Sequence, residues 1–452
     1  MATAYLHRTP GGAGNQTTWT FSTWFKRGII PASPGMDMLF AQGTDSNNYT
    51  NIGINTAGKI AMSQYTSSSG VMDLDTNTGY KFRDTGAWYH VVIAVDTTQT
   101  TNTDRAKLYV NGNLESWIGT TSYPAEDLVT WVNGTTQMSV GYNAAQATGY
   151  WTGNMAHTHL IDGTQYAASD FVEFDATSGI WVPKTGPSVT YGTNGFFLKY
   201  ASGAITTDSS GEGNTMTQVG TITTTKDTPD NNFATWNPLN NYYPAVTFSN
   251  ANTTLVTASA VYAPSLSTLG MSSGKWYAEF QPTGRVADKN NIIGVSSTEA
   301  TAASQELGHF ANDWGYEAKP GTGTADLRNN NSSSTYGNTY DDDDIIGVAL
   351  DVDNLKLYFS KNGVWQNSGD PTSGATGTGA VSITTGPLGN WFFGCTYWTS
   401  GGCTFNANFG NGYFGTTAIS SGNADDAGEG DFEYDVPAGY YALCTNNLGD
   451  QS

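Results

Sequence analysis

The chain has 452 residues, of which 54 are glycine, and aromatic and charged residues make up 13% each. No long stretch places apolar residues at helical spacing, so the composition excludes a mainly helical protein and favours many short β-strands joined by turns. The formal net charge is −21, from 39 acidic and 18 basic residues, and Lys and Arg form no cluster. Nucleic acid and anionic membrane surfaces need such clusters, so both are excluded as partners.

The sequence also argues against membrane insertion and secretion. No window of about 18 residues is continuously apolar, as a spanning helix requires. The opening stretch MATAYLHRTPGGAG lacks the basic and then apolar regions of a secretory signal. Cys395, Cys403 and Cys444 are too few, and odd in number, for a disulfide framework. A bridge between Cys395 and Cys403 stays open, but buried thiols are favoured.

The first clear strand pattern begins at Trp19. In the stretch WTFSTWFKRG, Trp19, Phe21 and Phe25 alternate with Thr20 and Ser22, as in a strand with one face on a core. The stretches MLFAQG, NIGINTAGKIAMSQY, AWYHVVIAVD, AKLYVNG, QMSVGYN and WTGNMAHTHLIDG follow, between clusters of Gly, Asn, Ser and Asp that are typical of turns. The first half is therefore predicted to be a β-sandwich.

Two similar phrases in the two halves end in an Asn-Gly pair. RAKLYVNGNLES contains Asn111 and Gly112, and NLKLYFSKNGVWQ contains Asn362 and Gly363. Each pair follows alternating apolar residues, and Asn-Gly supplies the two positive-φ positions of a type I′ turn. The repetition predicts two hairpins in two related β units.

The first half resembles a known family. The stretch AWYHVVIAVDTTQTTNTDRAKLYVNG, together with MAHTHLIDGTQYAASDF, GIWVPK and YGTNGFFLKY, resembles the LamG, or concanavalin A-like, jelly roll found in proteins of marine bacteriophages. The second half carries GKWYAEF, DDIIGVALDVDNLKLYFSKNG and FNANFG, which resemble the SPRY domain, itself a bent β-sandwich. The phrase TPDNNFATWNPL between them is also typical of those phage proteins.

The predicted fold is all-β, with two tandem jelly-roll-like antiparallel β-sandwiches. Residues 1–200 form the LamG-like module, residues 201–243 an extended linker, and residues 244–410 the SPRY-like module. Residues 411–452 form a C-terminal tail with the acidic stretch NADDAGEGDFEYD. The apolar end of this tail is expected to pack back on a sheet.

No enzyme motif is present: the sequence lacks G-x-S-x-G, H-E-x-x-H, a P-loop and a paired zinc-type Cys motif. A glycosidase needs only two carboxylates about 5–10 Å apart, which leave no local signature, and a lectin and a glycosidase can share a sandwich fold. No carboxylate pair can be nominated. The chain is predicted not to be an enzyme.

Two clusters have residues of the types that bind metals. His157 and His159 share one face of a predicted strand, but without a third ligand packed histidines are the favoured interpretation. Four acids, Asp341 to Asp344, are consecutive and so alternate faces, which favours a solvated loop over a Ca²⁺ site. The LamG resemblance implies Ca²⁺ at a sheet rim, yet its ligands match no residues here. No cofactor or metal ligand is assigned.

Aromatic side chains in turn-rich stretches of the sequence are the candidate ligand-binding residues. They are Tyr336 in NNNSSSTYGNTY, Trp365 just after an Asn-Gly turn, and Tyr397 and Trp398 at a hairpin end. Flat apolar rings stack on the CH-rich faces of sugars. The SPRY resemblance implies that the same residues could instead contact a protein partner.

The resemblances imply a non-enzymatic phage virion structural protein of fibre or adhesin type, made in the host cytoplasm, whose sandwich loops recognise host-surface glycan or protein. Its partners would be other virion proteins and copies of itself, as a trimer in a fibre, since multivalency raises weak affinity. The alternative is a capsid decoration or assembly protein with no host ligand, and it gains weight because the first sandwich begins within about 20 residues and the sequence has no heptads. The third possibility is a polysaccharide depolymerase.

Overall fold

The fold is seen in a computed structural model that describes residues 3–28, 35–76, 81–117, 122–176, 179–240, 246–257, 264–284, 290–302, 304–319, 321–398 and 402–451. The chain divides into two compact units, Met1–Thr224 and Thr225–Ser452. Both consist almost entirely of antiparallel strands, and within the ranges just given the only α-helix is Thr445–Asp450. No helix in those ranges has the length and apolar character needed to cross a membrane.

The described residues of the first unit form fifteen strands and two short 3-10 turns, Asn102–Asp104 and Ala168–Asp170. The strands are β1 (Tyr5–Arg8), β2 (Thr18–Arg27), β3 (Asp37–Asp45), β4 (Asn48–Ile54), β5 (Ile60–Thr66), β6 (Ser69–Asp75), β7 (Trp88–Asp96), β8 (Ala106–Val110), β9 (Asn113–Glu115), β10 (Met138–Val140), β11 (Gly153–Asp162), β12 (Val172–Phe174), β13 (Trp181–Pro183), β14 (Phe196–Leu198) and β15 (Thr217–Val219). They form a seven-stranded sheet in the order β15-β1-β10-β3-β4-β5-β6, a six-stranded sheet in the order β14-β11-β2-β7-β8-β9, and the hairpin β12-β13.

The inner faces of the two sheets of the first unit pack on each other. In β2, Trp19, Phe21 and Phe25 are fully buried and belong to one apolar cluster with side chains of β3 to β7. The alternating side chains Thr20 and Ser22 face the other way and hydrogen-bond outside that cluster. The predicted inward and outward sides of this strand are therefore confirmed.

In the second unit, the part of the chain that the structure describes forms nineteen short strands and two 3-10 turns, Gln366–Ser368 and Pro371–Thr376. The strands are β16 (Val246–Ser249), β17 (Thr254–Thr257), β18 (Ser265–Leu266), β19 (Lys275–Thr283), β20 (Asn290–Ser296), β21 (Asp313–Glu317), β22 (Thr324–Asn329), β23 (Ser332–Asn338), β24 (Ile346–Asp351), β25 (Lys356–Lys361), β26 (Val364–Trp365), β27 (Val381–Ser382), β28 (Phe392–Trp398), β29 (Cys403–Asn408), β30 (Tyr413–Phe414), β31 (Thr417–Ala418), β32 (Asn423–Ala424), β33 (Asp431–Phe432) and β34 (Tyr441–Ala442).

These strands again make two large sheets around one apolar core. A nine-stranded sheet runs β16-β17-β29-β19-β24-β25-β26, with β27 added to β25 and β34 to β19. A six-stranded sheet runs β18-β28-β20-β21-β22-β23, and side chains of both sheets share one apolar cluster. The protein is thus an all-β chain of two tandem antiparallel β-sandwiches, as the sequence predicts.

The segment predicted to be a linker, residues 201–243, packs against both cores. Met216 lies in the core of the first unit, and β15 pairs with β1. Trp236 is fully buried in the core of the second unit. The contacts therefore place the division within this segment, between Thr224 and Thr225, instead of at its two ends.

The two Asn-Gly turns are equivalent in detail. Asn111 and Gly112 have φ of 46° and 85°, and Asn362 and Gly363 have φ of 46° and 77°, as type I′ hairpins require. Each Asn also binds the neighbouring strand. The Asn111 side chain accepts from the backbone N–H of His90 at 2.8 Å, while the Asn362 side chain accepts from that of the residue before β24, also at 2.8 Å. The two predicted hairpins are confirmed.

The three cysteines are all buried, and none of them forms a disulfide. Cys395 and Cys403 lie in the core of the second unit, on β28 of one sheet and β29 of the other. Burial raises the pKa of the Cys395 thiol well above its ordinary value. The favoured interpretation of buried thiols is confirmed.

The outer face of the six-stranded sheet in the first unit is covered by residues that follow β11. Phe171 and Tyr191 pack there on Trp24, in a second apolar cluster. His90 is enclosed beneath them: its ring stacks on Trp24 at 5.0 Å, and its Nε2 is hydrogen-bonded to Ser22 Oγ at 2.9 Å. Burial lowers the pKa of His90 to about 3, since a buried imidazolium would lose its hydration.

The outer face of the nine-stranded sheet is covered by the C-terminal residues. β34 pairs in parallel with β19, and Phe432 and Tyr440 pack on Tyr277 and Tyr358. The covering segment therefore completes the sheet and buries apolar side chains at the same time.

One buried carboxylate, Glu279 of β19, holds this covering segment. It accepts hydrogen bonds from the backbone N–H groups of Glu433 at 2.8 Å and Tyr434 at 2.9 Å. The Tyr277 hydroxyl donates at 3.1 Å and the Asn408 amide at 3.4 Å. Burial raises the pKa of Glu279 to about 7, although the four donors favour its charged form.

Acid should destabilise the first unit through His90. The pKa of His90 in the folded chain, about 3, lies below the ordinary 6.5, so between these two pH values the unfolded chain binds a proton that the folded chain does not bind. This contribution to stability is present above pH 6.5 and is lost as the pH falls towards 3, with a loss of about 2 kcal/mol by pH ~5. His90→Gln keeps an acceptor for Ser22 and should reduce this dependence, while His159, whose pKa burial also lowers well below its ordinary value, keeps its own contribution. Urea unfolding at pH ~7 and ~5 measures it, and an unchanged loss in the variant contradicts the assignment.

Glu279 should give the second unit the opposite dependence. Its folded pKa of about 7 lies above the ordinary 4.5, so its contribution to stability is present below about pH 4.5 and is lost as the pH rises to about 7. Glu279→Gln should abolish this slope. It should also lower stability by about 1–3 kcal/mol, because each carboxylate oxygen accepts from two donors and the amide NH₂ group would leave two of them without an acceptor. The measurement is hydrogen exchange of the Glu433 and Tyr434 amides. Unchanged protection in the variant would show that Glu279 does not hold the segment.

Candidate functional site

Two of the four predicted ligand-binding aromatics lie in the core of the second unit. Tyr336 is 7% exposed, and its ring packs edge-on against Tyr316 at 5.6 Å and Phe359 at 5.9 Å. Tyr397 is 1% exposed and belongs to the same cluster. Neither ring presents a face to solvent, so neither can stack on a sugar in this structure. The turn-rich sequence around Tyr336 forms the hairpin β22–β23, in which the alternation of side chains between the two faces directs this ring inward.

The other two predicted aromatics have different positions. Trp365 is half-buried on the covered outer face of the nine-stranded sheet, with ring centroids 6.3 Å from Tyr277 and 6.4 Å from Tyr358. Trp398 ends β28, but its side chain lies outside the described part of the structure. The structure does not bring the side chains of Tyr336, Trp365 and Tyr397 together, and contact with a ligand stays a prediction for Trp365 and Trp398.

The two metal candidates are engaged by their own neighbours. His159 is buried, stacks on Phe197 at 4.0 Å and is hydrogen-bonded to Tyr191 at 2.9 Å. Asp344 forms an ion pair with Lys361 at 3.0 Å. In the portion of the chain that the structure describes, no group of three His, Cys, Asp or Glu side chains is arranged to hold a metal ion.

A different surface has the character of a binding site. We name it the tyrosine face, and it consists of Tyr5, Tyr49, Tyr65, Tyr142 and Tyr150. These side chains lie on the outer face of the seven-stranded sheet, away from the apolar core, or on the loop of residues 141–151 that lies against it. Their strands place them there because the residues alternating with them, such as Leu6, Ile52 and Met62, point into the core.

The tyrosine face has two groups of rings. In the first group, the ring of Tyr142 is buried. The ring of Tyr150 stacks on it, with the centroids 4.3 Å apart and the planes at 18°, and the ring centroid of Tyr5 lies 4.6 Å away. In the second, Tyr49 is buried and carries Tyr65, stacked at 5.2 Å and 22°. Tyr5, Tyr65 and Tyr150 are half-buried, so each group has a fixed ring below and a partly exposed ring above.

Amide side chains fix the loop of residues 141–151 between the two groups. Asn143 donates from Nδ2 to Gln146 Oε1 at 2.9 Å, and Gln146 donates from Nε2 to the hydroxyl of Tyr49, also at 2.9 Å. The loop is also tied to β3, because Met38 donates its backbone N–H to the carbonyl of Gly149 at 3.1 Å. The rings are therefore held in place before any ligand arrives.

The chemistry of the tyrosine face is that of weak stacking and hydrogen bonding. Burial raises the pKa of Tyr49 and of Tyr142 to about 12, so both hydroxyls are protonated at neutral pH. Such hydroxyls donate and accept hydrogen bonds. His7 lies beside the first group, with its ring 5.7 Å from that of Tyr5. The surface can therefore bind a ligand that offers apolar faces and hydroxyl groups together.

Another depression, in the second unit, is less suited to binding. It has a volume of about 250 Å³ and is lined by Val352, Asp353, Leu355 and Trp391 among others. Trp391 is only 2% exposed, and the Asp353 carboxylate already accepts the backbone N–H of Gly274 at 2.8 Å. This depression offers no exposed ring face, so we take the tyrosine face as the candidate site.

Comparison with known proteins supports a lectin-like first unit. Residues 3–168 match the family described as the concanavalin A-like lectin/glucanases superfamily, and this range contains the whole tyrosine face. No curated protein matches the chain. The LamG-like or concanavalin A-like character expected from the sequence is thus confirmed for the first unit, and such a fold favours binding of carbohydrate or protein.

Solved structures with similar folds include SPRY domains and a pentraxin. The SPRY domain of human HERC1 is 16% identical, with 34% of this chain and 86% of that one covered at a TM-score of 0.26. The TRIM65 PSpry domain is 14% identical over 39% of this chain and 91% of that one, at a TM-score of 0.29. The heptameric SAP-like pentraxin from Limulus polyphemus is 14% identical over 36% and 72%, at a TM-score of 0.26. Scores this low carry no argument about function.

The close packing of the loop of residues 141–151 against the sheet can be tested through its effect on stability. Gly149 has φ of 77°, and a Cβ there would lie 2.6 Å from the carbonyl oxygen of Met36 and from Cγ of Met38. Gly149→Ala should therefore lower the free energy of unfolding by about 2–4 kcal/mol, through backbone strain and a steric clash. Gly179→Ala is the matched control, because Gly179 has φ of 69° with nothing within 4 Å of its Cβ position. It should cost only about 1–2 kcal/mol. Urea unfolding compares them, and equal losses would contradict the close packing.

Proposed function

We propose that this chain is a non-enzymatic carbohydrate-recognition protein and that the tyrosine face is its binding surface. The observation that carries the proposal is that partly exposed rings rest on buried rings on an outer sheet face. A sugar offers CH-rich faces to such rings and hydroxyls to the polar groups between them. The match to a lectin and glucanase superfamily over residues 3–168 supports the same conclusion.

The arrangement favours recognition over packing. The apolar cluster around Phe171 and Tyr191 covers one outer face of the first unit, and Phe432 and Tyr440 cover one outer face of the second. The tyrosine face has a loop of small and amide side chains in place of such a cover. Because the rings are already fixed, binding orders few side chains and loses little conformational entropy.

Within this proposal, the chain is a structural protein of a bacteriophage virion, of fibre or adhesin type, that attaches to host-surface glycan. The support is the resemblance of its two halves to modules of marine phage proteins. A single site of stacked rings gives modest affinity, so several copies on one particle would bind through avidity. Mass spectrometry of particles of the phage that encodes the chain tests its place in the virion, and absence from purified particles would refute it.

Glycan binding should depend on the exposed rings. Tyr65→Ala and Tyr150→Ala should each lower the affinity of the full chain for a glycan roughly two- to tenfold, which corresponds to ~0.5–1.5 kcal/mol per stacking contact. Tyr413→Ala is the matched control, since Tyr413 is a half-buried tyrosine of the second unit. A glycan array identifies the ligand, and affinity electrophoresis in that glycan compares the variants. Equal losses in all three variants would contradict the assignment.

The alternatives predict different results in the same experiments. A capsid decoration or assembly protein would bind no glycan and would not compete with particles for host cells. A depolymerase would release reducing ends from the polysaccharide. Saturable binding without release, which blocks infection by competition, supports recognition. Repeating the binding with EDTA shows whether a divalent metal takes part.

A further inference from the structure

The two ring groups of the tyrosine face are well separated on the sheet. Tyr5 lies on β1 and Tyr49 on β4, and the strands β10 and β3 lie between them. Three strand spacings, about 14 Å, separate the strands of Tyr5 and Tyr49, and two spacings, about 10 Å, separate β4 from β10, the strand that precedes Tyr142. One sugar ring cannot span either distance, so a ligand that contacts both groups must be a chain of several sugars.

The surface between the groups leaves room for such a chain. The loop there contains Ala144, Ala145 and Ala147, whose side chains are a single methyl group. The one long side chain between them, Gln146, is held down by its hydrogen bond to Tyr49. A sugar chain can therefore lie across the loop from Tyr150 towards Tyr65 without displacing a large side chain.

The charges around the face select against acidic sugars. Asp73 and Asp75 of β6 point outward, across from Ser63 and Ala61 of β5, and Asp73 is the nearer of the two to Tyr65. Lys59 is held by Asp75 at 3.1 Å, and Lys81 and Arg83 lie beside Gly58 at the β4–β5 turn, the end of these strands away from Tyr49 and Tyr65. In the described strands of the seven-stranded sheet, the outward-facing residues include no Lys or Arg.

The outward-facing carboxylates act on a charged ligand from a distance. Burial, together with the neighbouring Asp75, raises the pKa of Asp73. A uronate or sulfate beside Tyr65 would approach Asp73, which is across from Ser63, two residues from Tyr65 on β5. Repulsion between exposed charges is felt over about 10 Å at low ionic strength and is weakened by salt.

We propose that the tyrosine face binds an extended, uncharged oligosaccharide that contacts both ring groups. The inference rests on the proposed function and deepens it, because it names the length and charge class of the ligand. A site for a terminal monosaccharide would need only one ring group. A site for a polyanionic glycan would need cations.

The test uses the full chain and two ladders of oligosaccharides from disaccharide to hexasaccharide. The neutral ladder contains cello-, manno- and galacto-oligosaccharides, and the acidic ladder contains oligogalacturonates and oligoalginates. Calorimetric titration at low salt should show affinity for a neutral series rising at least tenfold with chain length, with weaker binding of every acidic series. Tyr65→Ala should remove the gain with length but leave the affinity for the disaccharide within about twofold.

A charge-reversal variant tests the selectivity separately. Asp73→Lys should strengthen the binding of acidic chains several-fold and leave the neutral chains unchanged, and added salt should erase the gain. Asp84→Lys, at an exposed position that precedes β7, is the control and should change neither.

The possible failures are distinguishable. Affinity that does not change with chain length, or acidic chains that bind as tightly as neutral ones, would overturn this inference while leaving glycan recognition intact. If the folded wild-type chain binds no member of either ladder and no glycan on a broad array, the proposed function itself is wrong.

Discussion

The constraint on which this molecule depends is that a β-sheet has two faces and a sandwich buries only one of them. Each unit has two large sheets, so each has two outer faces that must be covered or hydrated. Phe171 and Tyr191 help to cover one outer face of the first unit. In the second unit, the C-terminal residues cover the nine-stranded sheet, and Leu307 packs near Gly394 on the other sheet. The tyrosine face keeps partly exposed rings on the outer face of the seven-stranded sheet.

The two units cover one of their outer sheet faces in the same way. In each unit, an aromatic ring from the covering segment lies on the Gly of the Asn-Gly turn. Trp181 would be 2.7 Å from a Cβ at Gly112, and Tyr434 would be 2.6 Å from one at Gly363. The glycines thus serve both the turn, through positive φ, and the cover, through close approach. This pairing links the two repeated phrases in the sequence to a repeated way of closing a sheet.

Much of the fold could be predicted because alternation is a local signal. Trp19, Phe21 and Phe25 show which side of β2 is buried, and the Asn-Gly pairs define two hairpins. The candidate site could not be predicted in the same way, since it requires knowing which outer face stays uncovered. Turn-rich text around Tyr336 and Tyr397 suggested exposure, but their strands direct both rings inward. The stretch GYNAAQATGYW, with tyrosines at both ends of a short amide loop, is the signal that could have found part of the site.

The central claim is that ligand contacts concentrate on the tyrosine face. Hydroxyl-radical footprinting of the full chain, with and without a saturating neutral polysaccharide to which it binds, tests this most directly, because it reports every exposed ring at once. The account predicts that Tyr5, Tyr65 and Tyr150 become protected while Trp365 and Tyr413 do not. Protection centred on Trp365, with the three tyrosines unchanged, would contradict the account and transfer the site to the second unit.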